Sequence, residues 1–252
     1  LEKAQPGGTA EWLEEINGWK QQHPISMGPE GLTPQKIINA MNDAFDNAII
    51  ATDVGQNQLW ATQFLELGKN RQLLTSGGLG TMGYGFPAAI GAKIGNPDRD
   101  VIVITGDGGM QMNIKEMASA VCCELPLIIC ILNNGYLGNV RQWQEMFFNK
   151  RYSGTCIRRR KSCPPACNTP ADCCPEYTPD FIKLAESYGA RGIRVTSETE
   201  IADSQGTESA REENGQVPTL TMFVDETWWP YEKWEGAIPE EFEKRLGVNR
   251  SE

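Results

Sequence analysis

Two short polar turns carry the residues best suited to chemistry. Gly106-Asp107-Gly108-Gly109 ends one β-branched run, and Asn133-Asn134, closely followed by Tyr136, ends another; 24 residues separate the Gly-Asp-Gly from the Asn-Asn. Asp107 offers a carboxylate, Asn134 an amide oxygen and Tyr136 a backbone carbonyl. Such an all-oxygen set suits a hard cation of the magnesium type and leaves coordination positions for phosphate oxygens and water. Gly106, Gly108 and Gly109 let backbone come close to a phosphate with no Cβ in the way, and a helix starting there adds its N-terminal N–H donors. Either turn alone reads as an ordinary loop. Together they read as a site for a magnesium diphosphate.

The elements that must position these turns follow from periodicity. Residues 101–105 and 127–132 are strand-like apolar runs, and between them Ile114, Met117, Ala118 and Val121 fall on one helical stripe. A strand–helix–strand unit of this length joins parallel strands by a crossover, so both turns emerge at the same sheet edge, where open α/β sheets bind ligands. The pattern repeats along the chain. Thr33-Pro34 starts a helix with Ile37, Ile38, Met41 and Phe45 inward. Strands are expected at 48–52, 73–76, 192–195 and 218–224, and helices at 86–94, 138–148 and 180–188, the last capped by Thr178-Pro179 with Phe181, Leu184 and Ala185 inward. Residues 197–214 have little apolar periodicity and are expected to form a poorly packed helix. The fold class is α/β, a doubly wound parallel sheet with helices on both faces.

The Gly-Asp-Gly and Asn-Asn pair resembles the motif of thiamine diphosphate enzymes. Three further stretches, Val54-Gly55-Gln56-Asn57-Gln58-Leu59-Trp60, the run TSGGLGTMGYGFPAAIGA at 75–92, and Gln142-Trp143-Gln144, resemble the catalytic subunit of acetolactate synthase, also called acetohydroxyacid synthase. The resemblance covers about residues 33–195 apart from one insertion, with the motifs in order and spacing. It implies a thiamine diphosphate-binding fold in which Gly55, Gln56 and Asn57 approach the diphosphate, Asn57 standing where the family has histidine. It implies that the backbone around Gly80 and Met82 meets the aminopyrimidine, and that the Met82 side chain wedges the cofactor into a bent shape. Gly106, Gly108, Gly109 and Asn134 would complete the cofactor site, with Asp107, Asn134 and the Tyr136 carbonyl on magnesium. Trp143 would line the pocket for a second 2-oxoacid, and Asn139 replaces the methionine usual nearby.

The implied reaction joins pyruvate, after loss of carbon dioxide, to a second 2-oxoacid, giving acetolactate or acetohydroxybutyrate in branched-chain amino acid biosynthesis. In the family an activating glutamate sits on a separate N-terminal domain, usually across a dimer interface. The chain alone is therefore expected to be inactive and to need a homo-oligomer, or a chain carrying the missing pyrimidine-binding domain. FAD is implied for the full-length enzyme, and a small regulatory subunit is a further expected partner.

Composition narrows the remaining classes. A formal charge of −10 over 252 residues disfavours nucleic acid and anionic membrane as general partners. One histidine, His23, leaves almost no material for a Ser–His–Asp or multi-histidine metal site. The most apolar stretch, 121–132, is broken by Glu124 and Pro126, and the first residues, LEKAQPGGTAEW, lack the pattern of a signal peptide. Cys122, Cys123 and Cys130 are expected in the core as small hydrophobes, and a reducing, cytoplasmic location is expected.

Three regions are expected. Residues 1–30 form the tail of a preceding domain and a linker, with Trp12, Leu13, Ile16 and Trp19 on one face of a helix; 31–225 form the thiamine diphosphate and magnesium domain; 226–252 form a tail with Trp228, Trp229, Tyr231 and Trp234. An insertion at about 151–177 holds Cys156, Cys163, Cys167, Cys173 and Cys174. It reads either as a metal or iron–sulfur clip or as a surface excursion. Three other readings stay open: a nicotinamide-dependent dehydrogenase, from the GxGxxG at 78–83; the cofactor-binding subunit of a 2-oxoacid oxidoreductase, from the cysteines; and a non-catalytic thiamine diphosphate module.

Overall fold

The computed structural model describes residues 8–25, 30–68, 70–157, 179–204 and 220–225, with only the backbone described for 202–204 and 220–225. The chain divides into two compact units, helix α1 (Ala10–Gln22) lying in one and every other described element in the other. Within α1, Trp12 and Trp19 meet edge to face with ring centroids 5.6 Å apart. None of its residues is buried, and Trp12 and Leu13 are about half exposed.

The second unit is built on six parallel strands: β1 (Ile49–Thr52), β2 (Gln72–Leu74), β3 (Val101–Gly106), β4 (Leu127–Leu132), β5 (Arg191–Val195) and β6 (Leu220–Asp225), in the order β2-β1-β3-β4-β6-β5. The helices are α2 (Pro34–Ala44), α3 (Gln56–Phe64), α4 (Gly85–Gly95), α5 (Asp107–Met112), α6 (Met117–Cys122), α7 (Gly138–Phe147), α8 (Phe181–Ser187) and α9 (Thr199–Ser204). Both faces of the central strands are buried, which is why β3 and β4 read as unbroken apolar runs. On one face, Val101, Val103, Ile129 and Ile131 pack with Phe86 and Ala89 of α4, Met117 and Ala120 of α6, and Phe181 and Ala185 of α8. The alternate residues Ile50, Ile102 and Ile104 are also fully buried, and α3 packs against β1 and β3 with α2 against α3. Truncating one of these isoleucines to alanine costs about 2–5 kcal/mol.

The α2 start is as expected: Thr33 Oγ1 accepts from Lys36 N at 3.2 Å, with Pro34 in the first turn and Ile37, Ile38, Met41 and Phe45 buried. At its other end the buried Arg71 guanidinium donates to the carbonyls of Asn42, Phe45 and Glu66, so a cation sits where the helix dipole is negative.

Three expectations are corrected. The helix between β3 and β4 is not continuous: it breaks at Asn113, passes through a short 3₁₀ turn (Ile114–Glu116) and restarts at Met117, so the phase resets. Met117 and Ala120 are therefore the buried pair, while Ala118 faces solvent. The same shift leaves Cys122 and Cys123 exposed at the helix end; only Cys130 of the three is buried. Finally, α8 is capped by Asp180, whose carboxylate accepts from Ile182 N at 3.2 Å and Lys183 N at 3.3 Å; Thr178 lies outside the described residues.

Candidate cofactor site

The chain runs from β1 to the edge strand β2, then returns to the other side of β1 to lay down β3. Such a reversal opens a crevice at the carboxyl ends of the two central strands. A cleft of about 200 Å³ lies there. Every residue that the sequence named for cofactor or metal lines it: Gly55, Gln56 and Asn57 after β1, Gly80 and Met82 before α4, Gly106, Asp107, Gly108 and Gly109 after β3, and Asn134 and Tyr136 after β4. Trp143 does not line it. That side chain is 54% exposed on α7, whose residues Asn139 and Val140 reach the cleft instead.

Register explains how the two polar turns meet. Gly106 pairs with Leu132, so Asp107 and Asn133 leave the sheet side by side. The Asp107 carboxylate, 1% exposed, accepts from Gly108 N at 3.0 Å and from Gly135 N at 2.7 Å. Gly135 sits between Asn134 and Tyr136, so one hydrogen bond holds the turn that carries both against Asp107. Gly135 has φ +74°, which favours glycine there. Asn134 Oδ1 accepts from Tyr136 N at 2.9 Å. Carboxylate and amide oxygens keep further lone pairs when they accept one such bond, so both can also face a cation. Among the described residues no three His, Cys, Asp or Glu side chains converge on a metal. A cation at Asp107 must then take much of its shell from amide, carbonyl and ligand oxygens, as magnesium does with phosphates.

The glycines fit a phosphate cradle. A Cβ on Gly108 would come 3.1 Å from Leu137 Cδ2 and 3.4 Å from Met82 Cε, entering the cleft between them. Met82 thus reaches across from the turn before α4 to the turn after β3. Gln56 bonds through both ends of its amide: its Nε2 donates to Gln142 Oε1 at 3.1 Å and its Oε1 accepts from Asn134 Nδ2 at 3.4 Å, which sets the direction of the Asn134 oxygen. Asn57 turns inward, its Nδ2 donating to the Ile104 carbonyl at 3.1 Å.

Sequence reasoning missed Asp53. Buried to 1%, it accepts from Val54 N at 2.8 Å, from Gly83 N at 3.0 Å and from Gly85 N at 3.0 Å. It pins the turn that carries Gly80 and Met82 to the end of β1. The available signal was an acidic residue closing a buried strand, which needs donors, and a glycine-rich turn some thirty residues later that can bring amides close. Also missed was Tyr152, stacked on Arg141. Burial pushes its phenol pKa up, the Glu145 charge and hydrogen bond adding to this and the Arg141 charge opposing it.

The GxGxxG at 78–83 lacks the context of a dinucleotide fingerprint: ten residues, 75–84, lie between the end of β2 and the start of α4, where that fingerprint needs a tight strand–helix turn. The cysteine-based readings involve Cys163, Cys167, Cys173 and Cys174, which lie outside the described residues, as does the tail 226–252. No helix among the described residues is long and apolar enough to cross a membrane.

Residues 53–218 match the family model for the thiamine pyrophosphate (that is, thiamine diphosphate) enzyme C-terminal TPP-binding domain. The chain is 43% identical over 195 residues to the acetolactate synthase large subunit of Cyanidium caldarium, covering 77% of this chain and 30% of that protein. It is 38% identical over 234 residues to the acetolactate synthase large subunit of Corynebacterium glutamicum, covering 90% of this chain and 35% of that protein. The chain thus spans about a third of the length of the curated relatives it matches. With the matched segment extending from Asp53 through both polar turns, the chain belongs to the thiamine pyrophosphate enzyme family and carries its C-terminal cofactor-binding domain.

Proposed function

We propose that residues 31–225 hold thiamine diphosphate through a magnesium ion, and that the protein to which they belong joins pyruvate to a second 2-oxoacid to give acetolactate or acetohydroxybutyrate. The observation that carries the cofactor reading is the hydrogen bond from Gly135 to the buried Asp107, which gathers carboxylate, amide and carbonyl oxygens at the mouth of a glycine-lined cleft. Asp107, Asn134 and the Tyr136 carbonyl would hold the cation, and the amides around Gly108 and Gly109 the diphosphate. The reaction reading rests on the similarity to acetolactate synthase large subunits.

When bound, the cofactor supplies the electron sink for decarboxylation and carbon–carbon bond formation. The chain's own part is positional. Asp107 and Gln56 fix the metal turn, Asp53 fixes the Met82 turn, and Met82 sets the spacing between them. Leu137, Val140 and Met82 give the cleft an apolar wall. Trp143, exposed on α7, would meet the second 2-oxoacid once the rest of the site is assembled. At about 200 Å³ the cleft is smaller than the roughly 300–1,000 Å³ of a complete small-molecule site. This supports a half-site that a pyrimidine-binding domain completes, in a homo-oligomer or from another chain. FAD and a small regulatory subunit belong to that fuller assembly.

Calorimetric titration of thiamine diphosphate with and without magnesium tests the reading. Magnesium-dependent binding is expected, weakened at least about tenfold in Asp107→Asn, the loss of one charge-assisted contact. Equal binding in the presence of a chelator would overturn it.

A further inference from the structure

Arg141 lies at the centre of a layer that no part of the proposed chemistry uses. Its guanidinium carbon stands 4.2 Å from the ring centroid of Tyr136 and 3.9 Å from that of Tyr152, and the residue is only 6% exposed. A planar cation over two aromatic rings is held by both ring quadrupoles, and desolvation strengthens the attraction. Tyr136 is the residue whose carbonyl is read as a metal ligand. Tyr152 opens a strap, residues 152–157, that runs antiparallel to the metal turn and bonds to it on both sides. Leu137 N donates to Thr155 O at 2.8 Å, Ile157 N donates to Gly135 O at 3.0 Å, and Tyr136 and Cys156 face each other as a bridge pair.

The strap is tied back to α7 a second time. Gln144 Nε2 donates to Ser153 O at 2.9 Å, and Gln144 Oε1 accepts from Ser153 N at 3.1 Å. Three pieces of chain therefore meet around one cation: the turn 134–137, helix α7 and the strap. Arg141 touches all three, since it belongs to α7 and stacks on a ring from each of the others.

We propose that Arg141 is the positioning residue of the cation site, clamping the Tyr136 ring so that the Tyr136 carbonyl and the Asn134 oxygen are held in place before a metal arrives. It acts through the Tyr136 ring and does not itself line the cleft. The inference rests on the proposed magnesium site. Its structural half, that Arg141 orders residues 134–137 and 152–157, stands independently of any ligand. A rigid backbone carbonyl matters for magnesium, which demands near-octahedral geometry and tolerates little adjustment. A lysine cannot replace the stack, because its compact ammonium lacks the guanidinium plane that lies over both rings.

The experiment uses the full chain and two variants, Arg141→Met, which keeps stem length without charge, and Arg141→Lys, which keeps charge without the plane. Amide hydrogen exchange without ligand is read first. Protection of residues 135–137 and 155–157 should fall on the order of tenfold in Arg141→Met and by less in Arg141→Lys, with β3 and α4 unchanged. The magnesium concentration that half-saturates thiamine diphosphate binding should rise in the same order, while the affinity at saturating magnesium stays near that of the parent. Unchanged protection of the turn in both variants, or loss of protection across the whole sheet, would overturn the proposal. If the parent itself shows no magnesium-dependent binding, the cofactor reading fails, and the exchange result still decides whether Arg141 orders the turn. Should Arg141→Met fail to fold, Tyr152→Leu removes one face of the same stack and must reproduce the local loss.

Discussion

Asp53 and Asp107 hold matching places in the fold. Each follows a central parallel strand, β1 or β3, each is 1% exposed, and each carboxylate accepts backbone N–H groups from a glycine turn. What differs is the far side. Asp53 takes amides from Val54, Gly83 and Gly85, and Gly109 closes over it so tightly that a Cβ there would lie 2.3 Å from Asp53 Oδ1. Asp107 takes Gly108 and Gly135 and lines the cleft. One aspartate is walled in by its own fold and the other lines an open cleft. Residue type and strand position alone therefore do not make a site; the surroundings of the second oxygen face do.

That contrast predicts opposite consequences for the same substitution. Asp53→Ala strands three buried amides, at about 1–3 kcal/mol each before relaxation, and a total loss of roughly 3–5 kcal/mol in urea unfolding is expected. Asp107→Ala strands two amides beside a cleft that water can enter. A loss of about 1–2 kcal/mol is expected, together with loss of magnesium-dependent cofactor binding. Equal destabilisation by the two changes would erase the distinction.

A pair of glycines sharpens it. A Cβ on Gly85 would meet Asp53 N at 2.7 Å and Thr52 C at 2.9 Å, both backbone atoms that cannot give way. Gly85→Ala should cost about 1–3 kcal/mol by overpacking. A Cβ on Gly108 meets only the ends of the Leu137 and Met82 side chains, and α5 gains up to about 1 kcal/mol in helix propensity from alanine. Gly108→Ala should therefore melt close to the parent while binding thiamine diphosphate on the order of tenfold more weakly, because the methyl occupies the cradle. A variant that binds normally would mean that the diphosphate lies elsewhere.

The same contrast shows what could be read in advance. That Asp107, Asn134 and Tyr136 line one cleft was legible because the spacing across one strand–helix–strand unit brings both turns to the same sheet edge. The fold was legible for the same reason: runs such as 101–105 are too apolar to be anything but doubly covered strands. Asp53 was not legible, because its partners come from a turn thirty residues away and nothing local distinguishes a carboxylate satisfied by amides from one awaiting a cation. The break at Asn113 was hidden too. Ile114, Met117, Ala118 and Val121 fit an unbroken helix on paper, and the four-residue interruption at 113–116 rotates the stripe without changing the apolar count. Arg141 sits on a helix among polar residues, and the ring that covers it lies beyond the helix end, so spacing gives no hint of the stack.

A third aspartate extends the comparison to the surface, where the expected effect is smallest. Asp180 caps α8 through Ile182 N and Lys183 N and lies 3.1 Å from Lys183 Nζ and 3.4 Å from an Arg194 guanidinium nitrogen. Burial alone would raise its pKa, but the hydrogen bonds from Lys183 and the charges of Lys183 and Arg194 outweigh that and hold the carboxyl below its ordinary value. A depressed folded-state pKa means that the folded state favours the ionised form. The stabilisation is thus complete above the unfolded-state pKa of about 3.9 and disappears as pH falls through the lower folded-state value. Asp180→Ala should cost about 0.5–1 kcal/mol at neutral pH, the ordinary worth of such a cap in an exposed setting. The gap between parent and variant should close on acidification below about pH 4. Urea unfolding of both proteins at pH 7 and pH 3 measures it directly. A gap that stays undiminished at pH 3 would show that Asp180 acts by shape and neutral hydrogen bonding rather than by its charge.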